Sequence, residues 1–199
     1  MELKKQLNES IARWGLLQHP FYRAWEAGEL PRAALHSYAS EYGAFIALLP
    51  QGWEAIADPE TANEEREHAV LWQQFAHGLG TQIGGAELPA VAVLVSKAKA
   101  LFANPATALG AMYAFEAQQP ATAKGKLDGL RKHYNLPSGD RYFLAHANNQ
   151  HEAAKLLGLI ELLPADEQES AVLACQQMSQ ALWDALSDIY NLHCVAVQS

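Results

Sequence analysis

The sequence predicts an all-α fold, seven helices packed as a bundle in a single domain over residues 1–199. Apolar residues recur three and four positions apart through nearly every segment, the spacing that gathers them on one helix face. Nowhere does the chain alternate apolar and polar residues as a half-buried strand does. Its interruptions are short and built from Pro, Gly and Asn, with no long linker, low-complexity tract or fixed-period repeat.

The first helix is expected over about Leu3 to Leu17, where Leu3, Leu7, Ile11 and Trp14 recur at helical spacing. Pro20 starts a short helical segment that carries Phe21, Tyr22 and Trp25 and ends at Gly28. Pro31 begins a second main helix reaching Ala57, with Leu35, Tyr38, Tyr42, Phe45 and Leu49 inward and a kink at Pro50. Asp58-Pro59 is an N-cap and first-turn signal for the third helix, which stops near Gly78 and Gly80. Thr81 to Glu87 reads as a loop, and Pro89 to Phe102 as a fourth, apolar helix closed by Asn104-Pro105. The fifth runs from Ala106 to Tyr134, interrupted at Pro120, and Asn135 to Gly139 is a break. Asp140 to Leu163 is the sixth. Pro164 opens the seventh, with Asp166 and Glu167 where a helix N-terminus favours acids.

Composition narrows the function. A chain of 199 residues can bury a sizeable core. Half of it is hydrophobic and 18% charged, which excludes a disordered chain. The net charge of -8, a pI near 5.4 and the lack of any basic run exclude nucleic acid as a partner. The longest apolar runs, such as Ala90 to Val95, are far too short to span a bilayer. The first residues hold no apolar signal region, and two cysteines, Cys175 and Cys194, do not make a disulfide scaffold. A cytoplasmic protein with reduced thiols is expected.

Chemistry concentrates in three stretches. In Asn63-Glu-Glu-Arg-Glu-His68, either Glu64 or Glu65 can share a face with His68, so one helix could give a metal both carboxylate and imidazole. Glu116 interrupts the apolar run Ala111-Met-Tyr-Ala-Phe-Glu-Ala and is expected to point inward, where a carboxylate needs a partner, a metal or a proton. Pro120 cannot donate to the Glu116 carbonyl, so the helix should bend beside it. His146 and His151 are five residues apart and diverge on a regular helix; both serve one site only if a π-bulge intervenes. Tyr22, Tyr38 and Lys126 carry no spacing signal of their own and would pass as core tyrosines and a solvated lysine.

Three longer stretches carry a resemblance. His19-Pro-Phe-Tyr-Arg-Ala-Trp-Glu-Ala-Gly-Glu-Leu30 with Leu35-His-Ser-Tyr-Ala-Ser-Glu-Tyr42, then His68 to Gly80, then Tyr113-Ala-Phe-Glu-Ala-Gln-Gln-Pro120 with Tyr142-Phe-Leu-Ala-His146, resemble haem-oxygenase-like proteins of the thiaminase and pyrroloquinoline-quinone-oxidase kind. Within these the chain is most similar to the self-sacrificing p-aminobenzoate synthases, a family that includes the chlamydial death-domain-associating protein. The resemblance implies a seven-helix haem-oxygenase-like bundle, a homodimer, and a dinuclear Fe/Fe or Fe/Mn oxygenase using iron (Fe2+) or manganese with dioxygen and a reductant. Glu64 or Glu65, His68, Glu116, His146 and His151 fall at the family's metal-ligand positions. Tyr22 falls where the ring is excised to become p-aminobenzoate for folate, Tyr38 at a second required tyrosine, and Lys126 at the lysine thought to give the amino group. Such an enzyme turns over about once per chain, because its substrate is its own side chain.

Two departures stand out. The family carries His-x3-Asp-x2-His where this chain has the shorter run around Asn148-Asn149, which puts the second metal in question. The Glu-to-His spacing of the third helix is also about one turn shorter. Rival readings are a related iron oxygenase acting on an external acid or amine, and a non-enzymatic bundle that binds a partner helix. A thiaminase-like hydrolase fits less well, since no cysteine precedes Cys175.

Overall fold

The computed structural model describes residues 2–136, 139–149 and 151–195. These residues are helical with no strand among them, and the helices pack around one continuous apolar core. In chain order they are α1 (Glu2–Ala12), α2 (Pro20–Ala27), α3 (Arg32–Ser37), α4 (Gly43–Ile46), α5 (Leu49–Ala55), α6 (Pro59–Gly78), α7 (Pro89–Leu101), α8 (Pro105–Glu116), α9 (Gln119–Gly129), α10 (Arg141–His146), α11 (His151–Glu161) and α12 (Ala165–Cys194). The seven-helix bundle is thus more finely broken than its sequence suggests, and each break has a local cause.

The first helix stops at Ala12 rather than Leu17; Gly15 is extended and a 3-10 turn follows over Leu16–Gln18. The second main helix is divided twice. A π-helical turn spans Tyr38–Tyr42, and the chain breaks again at Ala47-Leu48, just ahead of Pro50. The Ala39 carbonyl in that π turn accepts the Trp72 indole N–H at 2.8 Å, a partner from α6. The fifth helix parts after Glu116, as Pro120 requires, and its end winds into a second π turn over Leu130–Tyr134. The sixth helix is divided between His146 and His151, so the two histidines sit at the end of α10 and the start of α11. Pro137, Ser138 and Gln150, which fall in expected breaks or helices, lie outside the described residues.

Two features place the site. His19 caps α2: its Nδ1 accepts the Phe21 N–H at 3.0 Å and its Nε2 reaches Ser187 Oγ of α12 at 3.0 Å, which fixes the short helix carrying Tyr22. Gly28 closes α2 at φ +75°, a left-handed turn suited to glycine, and a Cβ there would collide with the His133 ring. Asp58 caps α6 and is also paired with Lys155 of α11, so the heads of the two helices are held together.

The 30-residue α12 runs along the bundle and packs chiefly on α8 and α7. Gly110 allows the closest approach, since a Cβ would lie 1.9 Å from the Ala171 carbonyl oxygen. Backbone on both sides cannot yield cheaply. Gly110→Ala is expected to cost about 2–4 kcal/mol and lower the thermal midpoint by roughly 5–10 °C, read by circular dichroism.

Candidate metal centre

Glu65 leaves α6 on the face that also carries Ala62, Trp72 and Phe75, so it is drawn into the core while neighbouring Glu64 stays in solvent. His68, one turn on, is half-buried, and its Nδ1 lies 2.9 Å from Glu65 Oε1. Glu116 ends α8, a helix buried at every position but Pro105 and Thr107. His146 ends α10 with no exposed surface. Its Nδ1 is 2.8 Å from the Tyr142 carbonyl. A carbonyl can only accept, so Nδ1 carries a proton and Nε2 is the ring nitrogen that faces Glu65, 3.7 Å away.

The fourth acid was not singled out from the sequence. Glu152, Leu156 and Ile160 are the buried residues of α11, one stripe at i, i+4 and i+8, and Glu152 is its first member. His151, one residue earlier, is exposed.

Three overlapping groups result, each with donor atoms within 4.8 Å of one another: Glu65 with His68 and His146, Glu65 with Glu116 and Glu152, and Glu64 with His151 and Glu152. Every position expected to ligate metal therefore lies in one of them. Glu65 joins the first two groups, and Glu152 joins the second to the outer one.

The charges are unequal. Burial alone would raise the Glu65 carboxyl, but the imidazoles of His146 and His68 outweigh it and hold it near 2. His68 is held up in turn: burial lowers it, and the Glu65 carboxylate more than restores it. Glu116 is pushed well above the usual carboxylate range by burial, then by the charges of Glu152 and Glu65. It holds a proton unless a cation replaces it.

A second cluster of phenols lies close by. Tyr22 and Tyr38 hydroxyls are 3.2 Å apart, and Lys126 Nζ is 3.4 Å and 3.1 Å from them. Lys126 is buried, not a solvated helix lysine, and its ammonium lies over the rings of Tyr22, Tyr38 and Phe143. Burial pulls its amine down to about 7 and pushes both phenols up. The π turn at Tyr38–Tyr42 stacks those two rings at 5.0 Å. Between the clusters stands Tyr142, its ring 4.3 Å from that of His146 and 4.8 Å from that of Trp72. Its hydroxyl accepts from Gln119 Nε2. The phenol is pushed well up by burial and then by the charges of Glu65 and Glu116.

A family model described as an iron-containing redox enzyme matches residues 27–184. The chain belongs to that family. It is 30% identical over 226 aligned positions to the 4-aminobenzoate synthase of Nitrosomonas europaea, covering 96% of this chain and 92% of the relative. It is 28% identical over 211 positions to the 4-aminobenzoate synthase of Chlamydia muridarum, covering 94% and 89%. A domain of unknown function from Shewanella denitrificans with a heme oxygenase-like fold superposes with a TM-score of 0.78 at 18% identity, over 96% of this chain and 93% of that one. The fold is haem-oxygenase-like. No helix among the described residues is long and apolar enough to cross a membrane.

Iron suits the donors found here. Glu65 Oε2, both Glu116 oxygens, Glu152 Oε1 and His146 Nε2 are buried without a hydrogen-bond partner among the described residues. Buried polar atoms are seldom left so, and carboxylate oxygen with neutral imidazole is the set that ferrous or manganous ions take. Signals for the two residues passed over were present in the sequence. Glu152 heads an apolar stripe, and Tyr142 lies one turn before His146 in an apolar run.

Without metal, the carboxyl group of Glu116 is raised by folding, so its stabilisation is complete below the unfolded value of 4.5 and is lost as pH climbs toward the folded one. Metal-free Glu116→Gln should therefore exceed metal-free wild type by about 1–4 kcal/mol at pH 8, with the gap closing near pH 4. Urea unfolding at the two pH values measures it. A gap independent of pH would mean that Glu116 is not the titrating group.

Proposed function

We propose that this protein makes 4-aminobenzoate from its own Tyr22, with iron, or iron and manganese, held by Glu65, His68, Glu116, His146 and Glu152, and with Glu64 and His151 at the outer edge. The observation that carries the reading is Lys126: a buried amine beside the hydroxyls of two buried tyrosines, with no carboxylate partner among the described residues. The product named by the relatives has an amine and a carboxyl at opposite ends of one benzene ring. A tyrosine ring has its hydroxyl and Cβ at those same ends. Nitrogen must then replace the phenol oxygen, the Cα–Cβ bond must break, and Cβ must be oxidised to the carboxyl.

Lys126, its Nζ 3.4 Å from the Tyr22 hydroxyl, is our candidate donor of that nitrogen, and the transfer forms the ring C–N bond while breaking the Lys126 Cε–Nζ bond. With its amine near 7, roughly half is unprotonated at neutral pH and can act as a nucleophile. Tyr22 and Tyr38 share a hydrogen bond, so a proton leaving one has an acceptor in the other. Both remain neutral phenols until oxidised, because burial opposes the phenolate. The surrounding rings of Phe21, Trp25 and Tyr42 exclude water from the pair. Bound iron supplies the activation of dioxygen that the oxidation requires, with a reductant as co-substrate.

Intact-mass spectrometry before and after incubation with ferrous and manganous salts, reductant and air provides the test, with 4-aminobenzoate assayed in the same tube. The expected outcome is mass lost at Tyr22 and at most about one product per chain, the limit set by one side chain. Tyr22→Phe should bind metal normally and make none, and Lys126→Met should make less than about a hundredth of the wild-type amount. Unchanged mass with metal bound would instead indicate an oxygenase acting on an external substrate.

A further inference from the structure

Beside the break between α8 and α9 lies a cleft of about 480 Å³, with Glu116 among the residues that line it. Pro120 creates the break, since the helix cannot continue past the Glu116 carbonyl. The cleft walls carry Ala117, Ala121, Ala147 and Ala153, none of which extends beyond Cβ, together with Asn8 and Tyr113. Glu116 itself is 1% exposed, and both its oxygens lack a hydrogen-bond partner among the described residues. The same carboxyl lies within 4.8 Å of Glu65 and Glu152. At the mouth, Lys124 is drawn aside to Asp128 at 2.6 Å, so its ammonium is neutralised rather than left to repel a cation.

We propose that this cleft is the port through which divalent cations, and then dioxygen, reach the buried carboxylates, with Glu116 as the first acceptor inside. The inference rests on the metal-centre reading above. The helix break that sequence alone attributes to Pro120 then has a use: it leaves a route from solvent to the Glu116 side of the cluster, away from the outer edge where Glu64 and His151 are exposed. A walled port controls how fast a cation arrives and leaves its final affinity unchanged.

Metal-free protein mixed with Co2+ in a stopped-flow instrument tests this, because bound cobalt develops visible absorption as it exchanges water for protein donors. Ala121 is exposed at the wall, so Ala121→Trp can narrow the route without disturbing the core, and Ala121→Leu serves if the larger ring misfolds. Uptake should slow by about tenfold or more in the variant, with final absorbance and bound cobalt unchanged. Ala154→Trp, exposed on α11 outside the cleft, should take up cobalt at the wild-type rate. Equal rates in wild type, Ala121→Trp and Ala121→Leu, all folded by circular dichroism, would overturn the port alone. No cobalt bound by wild type would overturn the metal centre and the port with it.

Discussion

Three carboxyl groups buried within reach of one another are the constraint around which this bundle is arranged. Glu65, Glu116 and Glu152 come from three different helices into a region that is otherwise apolar or aromatic. Two such charges brought together in a low-dielectric interior repel strongly, and each one loses its hydration. The protein offsets part of this with the imidazoles beside Glu65 and part with a proton on Glu116. The remainder is a standing preference for a cation. Folding and metal binding are therefore linked, because a divalent ion that binds only the folded chain removes a penalty that folding alone leaves in place.

The supporting structure serves that placement. The Asp58–Lys155 pair ties the head of α6, which carries Glu65, to α11, which carries Glu152. The Tyr142 carbonyl fixes the His146 ring so that its Nε2 faces Glu65. The π turn at Tyr38–Tyr42 turns two phenols toward Tyr22 and Lys126, and Trp72 from the acid-bearing α6 completes the hydrogen bonding there. Trp72 packs on Tyr38 and on Tyr142, and Tyr142 packs on His146, so the acid and phenol clusters are linked through these two rings.

Much of this was legible in the sequence, for reasons that differ by residue. Glu116 stood out because a lone acid in an apolar helix must be buried or functional. Pro120 announced its break because proline lacks the N–H. The all-α class followed from periodicity, which survives local irregularity. The places where helices change pitch were not legible. A π turn costs and gains little locally and is settled by partners far along the chain, as the Trp72 bond to Ala39 illustrates. The same holds for His146 and His151. Their divergence on a regular helix was evident, but the bulge that could reconcile them occurs at Tyr38–Tyr42 and Leu130–Tyr134, and the histidines are separated by a helix break instead. Glu152 belongs to neither histidine motif, and its signal is its place at the head of an apolar stripe. Lys126 had no local signal at all, since only tertiary packing removes it from water.

The most direct measurement is a crystal structure of protein loaded with ferrous iron under anaerobic conditions, with anomalous diffraction recorded at the iron edge. The account predicts iron bonded to the carboxylates of Glu65 and Glu116 and to His146 Nε2 at about 2.0–2.3 Å, with Glu152 as a further ligand. Density without an anomalous peak there, with the acids paired to one another through shared protons, would contradict it.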